Sequence, residues 1–308
     1  MKAMAKILVA GGTGLIGTPL VERLLQAGYE VVLLTRRPAE VRTRHERLRP
    51  VLWDGKTLGA WASEAESAKA IINLCGSGIA DERWTDARKL ELLNSRIHPL
   101  QALVQAAVRA ADPPKAFITA SAVGYYGDLP PDEAVTETHR RGLGFLAETC
   151  GQWEKASETA AQFGIRTIWM RFGVVLALGG GALPKFLPPF KAYVGGPLGS
   201  GRQIVPWIHR DDAVSAVLHA LEHHSLTGPV NVTAPHLVPM KDFCSELGKA
   251  LGRPSWLPVP GFVLKALMGE SAQVVLEGQR ALPRKLMDSG FKFKHPDLAS
   301  AFKNLLGA

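Results

Sequence analysis

Along the first half of the chain, short apolar runs alternate with longer stretches of helical period. KILVA (6–10), EVVLLT (30–35), AIINL (70–74), AFITA (116–120) and RTIWMRF (166–172) have the length and the apolar content of buried strands. Between the first two runs, Ile16, Leu20, Val21, Leu24 and Leu25 recur at helical spacing and stop at Gly28, where a left-handed cap costs little. LELLNSRIHPLQALVQAAVRA and LAETCGQWEKASETAAQFG supply the later helices. This β-α-β succession predicts an α/β fold, a doubly wound parallel sheet with helices on both faces.

From about residue 174 the texture changes. VVLALGGGALPKFLPPFKAYVGGPLGSGRQIVPWIHRDD is rich in Gly and Pro, which predicts irregular structure over a site, not another layer. The tail from about 235 holds short helices broken by RPSWLPVPG. The expected division is a nucleotide-binding domain over 1–173, with 207–234 returning to it, and a smaller substrate lobe made of 174–206 and 235–308.

Composition narrows the class without choosing a ligand. With 46% hydrophobic and 21% charged residues, the 308-residue chain can build a core. Its opening lacks a signal-peptide pattern, and no run approaches the ~18 apolar residues of a membrane span. A soluble, cytoplasmic protein with no membrane association is expected. Cys75, Cys150 and Cys244 are odd in number and share no CxxC spacing, which points to reduced thiols and no metal site. His219 and His223 are spaced i, i+4 on a helical stretch but lack the Glu and third ligand of a zinc site. The net charge of +8 is modest for the length, and no nucleic-acid module accompanies it, so a small polar or acidic substrate is expected and nucleic acid is not. Apart from Arg36 and Arg37, the basic stretch RRPAEVRTRHERLR (36–49) reads as a solvated loop and helix face. A homodimer stays open as the assembly state.

AGGTGLIG (10–17) holds Gly11, Gly12, Gly14 and Gly17, with Thr13, Leu15 and Ile16 between them. It follows a buried strand and opens a helix, so its backbone N–H groups and the helix dipole can meet a pyrophosphate. The sheet is therefore read as a Rossmann domain. At the end of the second strand, where an acidic residue would select NAD, stands TRRP. Thr35, Arg36 and Arg37 suit a 2′-phosphate, which favours NADP(H).

NLCGSGIADERW, SAVGYYG, GGPLGSGRQ, WIHRDD, NVTAP and LEGQRALPRKL, in this order, resemble the extended and atypical short-chain dehydrogenase/reductase superfamily. More narrowly they resemble its epimerase-family proteins, related to nucleoside-diphosphate-sugar epimerases, with a short C-terminal domain of unknown function. The resemblance implies an NADP(H)-binding Rossmann domain with a substrate lobe. It places Thr35 and Arg36 at the 2′-phosphate, Leu74, Cys75 and Gly76 by the adenosine, Arg96 toward the cofactor and Val174 on the nicotinamide side.

One part of that pattern is missing. The superfamily's acid/base pair is a Tyr followed four residues later by a Lys. Here the tyrosines at 29, 125, 126 and 193 are followed at that distance by Leu33, Leu129, Pro130 and Pro197. Laying the WE-containing helix on the family's puts Leu146 and Cys150 at the pair's positions. Ser121 is retained at the fifth strand's end, and Tyr125 and Tyr126 are the nearest phenols, so these three are the catalytic candidates. Arg171 and Arg202 are candidates for an acidic substrate, whereas Asp211 and Asp212 are read as helix cap and first-turn charge. The functional expectation is an NADP(H)-dependent oxidoreductase or epimerase without the usual pair, acting as a nucleotide-sugar epimerase or carbonyl reductase. The alternative is a catalytically degenerate NADP(H) sensor.

Overall fold

The computed structural model describes residues 5–307. The elements of the first half are β1 (Lys6–Ala10), α1 (Gly17–Gln26), β2 (Glu30–Thr35), β3 (Leu48–Leu52), β4 (Ala70–Asn73), α2 (Asp86–Arg109) and β5 (Ala116–Ala122). Then come β6 (Ala134–Val135), α3 (Phe145–Lys155), α4 (Glu158–Gln162), β7 (Arg166–Phe172), β8 (Val174–Leu176), α5 (Leu183–Lys191), β9 (Ile204–Val205), β10 (Trp207–His209), α6 (Arg210–Glu222) and β11 (Gly228–Val232). The tail holds β12 (Val238–Pro239), α7 (Met240–Leu251), α8 (Gly261–Met268), α9 (Gln273–Leu276), β13 (Arg280–Ala281), α10 (Arg284–Asp288) and α11 (Leu298–Leu306).

Seven strands form one parallel sheet in the order β11-β7-β5-β4-β1-β2-β3. The chain runs outward from β1 to β3 and restarts at β4 on β1's other side. That reversal opens a crevice above the carboxyl ends of β1 and β4, where doubly wound sheets bind ligands. α1 packs beside α6, and α2 beside α3 and α4, so both faces are covered. Burial on both faces explains why β1 after Lys6 and β4 up to Asn73 run apolar without alternation.

β3 lies at the end of the basic stretch expected to be loop and helix. As the edge strand it pairs on one side only and is half exposed, so LRPVL tolerates Pro50 and carries no apolar run.

A second core gathers Leu183 and Phe190 of α5, Trp207, Phe243 and Leu247 of α7, and Phe302 of α11. The tail is divided between the two cores. β13 pairs with β6, and Leu286 and Phe291 are buried in the main core, so residues around 280–293 return to the Rossmann unit instead of joining the lobe. These positions sit among polar residues, and their apolar character marks no period.

Candidate functional site

After β1 the chain turns through Gly11, Gly12, Thr13, Gly14, Leu15 and Ile16 into Gly17, the first residue of α1. Gly11 has φ +77°, and a Cβ there would lie 2.6 Å from the Leu74 carbonyl carbon. On Gly17 a Cβ would collide with the Gly11 carbonyl oxygen, and on Gly12 with the Leu33 side chain. Gly14 differs, because a Cβ there would meet only the Gly11 oxygen, at 3.4 Å, and otherwise open space. No side chain caps the start of α1. An uncapped helix N-terminus behind a glycine whose outer side is open fits a diphosphate.

Beside this loop, Thr13, Thr35, Arg36, Arg37 and Glu40 line a cleft of about 280 Å³. The Thr35 hydroxyl accepts the Arg37 N–H at 3.2 Å, and Arg37 pairs with Glu40 at 3.2 Å on an exposed surface. Arg36 is exposed and pairs with no carboxylate among the described residues. Burial pushes the Cys75 thiol up to about 12, with the Arg36 charge acting the other way. A larger hollow, about 540 Å³, mixes Lys6, Arg49, Lys69 and Lys115 with Glu30 and Glu64 at the amino ends of the strands, on the side away from the glycine loop.

The segment after β4 is held from two sides. Leu74 N–H donates to the Ala10 carbonyl at 2.8 Å, and Cys75 N–H to the Asn73 side chain at 3.1 Å. Arg96, expected to face the cofactor, lies buried beneath this segment. It donates to the carbonyls of Ser77 (3.0 Å) and Leu92 (2.8 Å) and stacks 5.2 Å from the Trp153 ring centroid. Burial lowers its pKa. Gly76 lets it approach, because a Cβ there would be 3.4 Å from the guanidinium carbon. Arg96 thus supports the segment after β4 from below.

Across the sheet, Ser121 of β5, Arg171 of β7 and Asn231 of β11 are in register, which turns all three side chains to one face. All are buried. Arg171 Nε and Nη2 donate to the two carboxylate oxygens of Glu154 on α3, each at 2.8 Å, and Nη1 donates to the Tyr126 hydroxyl at 2.9 Å. Ser121 Oγ donates to Glu154 Oε1 at 2.7 Å, and Tyr126 donates to Asn231 Oδ1 at 2.7 Å. Burial works against the Arg171 cation, but Glu154 more than offsets it and the pKa lies above the ordinary guanidinium value. Burial likewise pushes the Tyr126 phenol up to about 12, with Arg171 and Asn231 acting the other way.

Three sequence assignments change on this geometry. Arg171 is closed into a bidentate pair and does not reach toward a substrate. Tyr126, 2% exposed, has its hydroxyl engaged on both sides. Ser121 is 2% exposed and gives its proton to Glu154. Glu154 and Asn231, which tie the cluster together, were not candidates. The WE pair on α3 and the NVTAP segment were their only signals.

Tyr125 is the half-exposed phenol of the group, and its hydroxyl makes no hydrogen bond among the described residues. Its ring lies 3.5 Å over the Arg171 guanidinium and meets Tyr126 edge-on at 5.5 Å. The short turn Val123–Tyr126 packs on α3, with the Gly124 α-carbon facing Leu146 and Cys150. The helix positions of the usual Tyr and Lys are thus occupied by an apolar contact. The Cys150 thiol is pushed up to about 12 by burial.

Two candidates remain, Val174 and Arg202. Val174 begins β8 and donates its N–H to the Pro206 carbonyl. Arg202 is exposed, and its side chain makes no hydrogen bond among the described residues. His209, not an aspartate, caps α6 by accepting the Asp211 N–H at 3.0 Å. Asp212 is fully buried and accepts the N–H groups of Lys294 (2.7 Å) and His295 (2.9 Å). His209, Asp211 and His295 lie close enough to suggest a metal cluster, but the lone pair at His209 Nδ1 is taken by the cap and Nε2 faces Asn304 Oδ1 at 3.1 Å. His219 bonds to Ser289 at 2.8 Å and stacks on His223.

Residues 7–232 match the model of the NAD dependent epimerase/dehydratase family, and 259–305 match a domain of unknown function, DUF1731. Epimerase family protein YfhF of Bacillus subtilis is 37% identical over 300 residues, 97% of each chain. The crystal structure of human epimerase family protein SDR39U1 (isoform 2) with NADPH has a TM-score of 0.87 at 34% identity, covering 98% of this chain and 99% of that one. A nucleoside-diphosphate sugar epimerase from Corynebacterium glutamicum has a TM-score of 0.79 at 27% identity, over 99% of this chain and 59% of its own.

Proposed function

Because the chain belongs to the NAD dependent epimerase/dehydratase family, we propose that it binds NADP(H) and interconverts a polar carbonyl and its secondary alcohol, with Tyr125 as the proton-transfer group. The observation that carries this reading is the cleft of Thr13, Thr35, Arg36 and Arg37 beside an uncapped helix start. The NADPH in the human relative's structure supports it. The nicotinamide, when bound, supplies the hydride donor or acceptor. The glycine loop and α1 hold the diphosphate, and Arg36 and Thr35 receive the 2′-phosphate. The Glu154–Arg171–Ser121–Tyr126 cluster acts as a rigid frame that fixes the Tyr125 ring at the end of β5, leaving its hydroxyl free for a substrate oxygen.

Calorimetric titration with NADPH and NADH tests the binding step. Arg36→Glu is expected to weaken NADPH by about tenfold to a hundredfold, the range of a lost charge-assisted bond, and to leave NADH little changed. Equal affinity for the two nucleotides in the parent protein would overturn the cofactor assignment. In a panel of polar carbonyls with NADPH, Tyr125→Phe should abolish whatever turnover the parent shows, and unchanged turnover would remove Tyr125 from the chemistry.

The alternative reading, an NADP(H) sensor, is favoured by one observation: Ser121, Tyr126 and Arg171 are sealed in one buried network with Glu154 and Asn231. A sensor would give no turnover and would recruit a protein partner in a manner that depends on the nucleotide's redox state.

A further inference from the structure

Between Thr159 and Arg210 the chain contains no Asp or Glu, and none occurs between Leu247 and Gly269. The fold brings these two acid-free stretches together. Leu198 and Val259 form a β-bridge, and Trp256 N–H donates to the Gly195 carbonyl at 3.0 Å. Trp256 Nε1 donates to the Tyr193 carbonyl at 2.9 Å, and the Arg253 guanidinium lies 4.5 Å over the Tyr193 ring.

What they expose is what folding ordinarily buries. Tyr193 is 54% exposed, Trp256 62%, Phe262 75% and Leu267 69%, and Val194 and Leu257 are exposed as well. In α8, GFVLKALM, only Leu264 is buried. Scattered apolar side chains are normal on a surface, but this many large ones exposed on two stretches joined by a β-bridge mark an interaction site. Lys191 and Lys265 are exposed on the same stretches, and Arg253 completes a set of cations with no carboxylate in either stretch.

We propose that this surface seats the protein on an anionic lipid membrane, with the aromatic and aliphatic side chains entering the interface and Lys191, Arg253 and Lys265 meeting the head groups. Charge complementarity selects this occupant. A two-fold pairing with a second copy would set cations against cations, and the neighbouring acid, Glu277, already faces Lys265 within the same chain. A nucleic acid would use the cations and the rings but would leave Val194, Leu257 and Leu267 in water. An anionic bilayer satisfies both halves of the surface. No helix among the described residues is long and apolar enough to cross a membrane, so the contact is peripheral. It revises the expectation of no membrane association, which rested on the lack of a spanning run.

Co-sedimentation of the full chain with phosphatidylcholine vesicles, with and without phosphatidylglycerol, tests the proposal. The parent protein should partition onto the anionic vesicles only and release with added salt. Trp256→Ser with Phe262→Ser, and separately Lys191→Glu with Lys265→Glu, should each weaken partitioning by about tenfold or more. Melting temperature is recorded for both double variants, and because the second removes no apolar contact it separates lost binding from lost folding. Partitioning that is absent, or equal in parent and variants, overturns the proposal. So does either alternative occupant: a dimer in sedimentation velocity that the serine variant dissociates, or single-stranded RNA bound at this surface while vesicles are not.

Discussion

Tyr125 and Tyr126 are neighbours in sequence with opposite physical roles. The Tyr126 hydroxyl is buried between an arginine donor and an asparagine acceptor, so removing it strands both partners. Tyr126→Phe should therefore cost about 1–3 kcal/mol in denaturant unfolding, whereas Tyr125→Phe, whose hydroxyl has no partner among the described residues, should cost a few tenths. Glu154→Gln leaves the Arg171 cation buried without its counter-charge and should cost more than either, about 3–5 kcal/mol. An equal loss for the two tyrosine variants would mean that the Arg171–Tyr126–Asn231 chain contributes nothing to stability. Sequence singled out Ser121, Arg171 and both tyrosines as candidates, because each sits at or just beyond the end of a recognisable strand. It could not show that three of the four satisfy one another. That depends on the register of β5, β7 and β11 and on Glu154, which comes from a helix 33 residues beyond Ser121 in the chain.

At the scale of the element, the glycine loop separates two reasons for a glycine. Gly17 serves packing, since a Cβ would strike the Gly11 carbonyl where α1 begins against β1. Gly14 has room for one. Gly17→Ala should accordingly destabilise the fold by about 2 kcal/mol or more, the usual scale of an overpacked site. Gly14→Ala should leave the melting temperature nearly unchanged while weakening NADPH, because the added methyl enters the space the diphosphate needs. Should the two alanine variants lose stability alike, Gly14 is structural and the open side of the loop has no ligand to receive. The spacing of the motif was legible in the letters, as were the strands and helices buried on regular periods. β3 was not, because a half-exposed edge strand with a proline carries no period to read.

At the scale of the whole molecule, the tail is fastened to the Rossmann unit at a pair of histidines. His209 ends β10 and caps α6, its Nε2 meets Asn304 of α11, and its ring stacks on His295 at 3.9 Å. The neutral ring suits all three contacts, since Nδ1 must keep its lone pair to accept the Asp211 N–H. Burial, followed by the His295 charge, lowers the His209 pKa, while Asp211, Asp212 and Asn304 act the other way. The sign of the pH dependence follows. With the folded-state pKa below the unfolded one, the unfolded chain binds the proton first. The stabilisation is complete above the unfolded imidazole value of about 6.5 and declines as pH falls through it toward the depressed folded value. Asp212, which holds the backbone of Lys294 and His295, keeps the loop in place while the imidazole stays neutral. Melting curves at about pH 7.5 and about pH 5.5 should therefore differ more in the parent than in His209→Asn, whose side chain can still cap α6 but cannot titrate. An identical pH response in the two proteins would place the acid-sensitive step elsewhere and reduce the stacked histidines to packing.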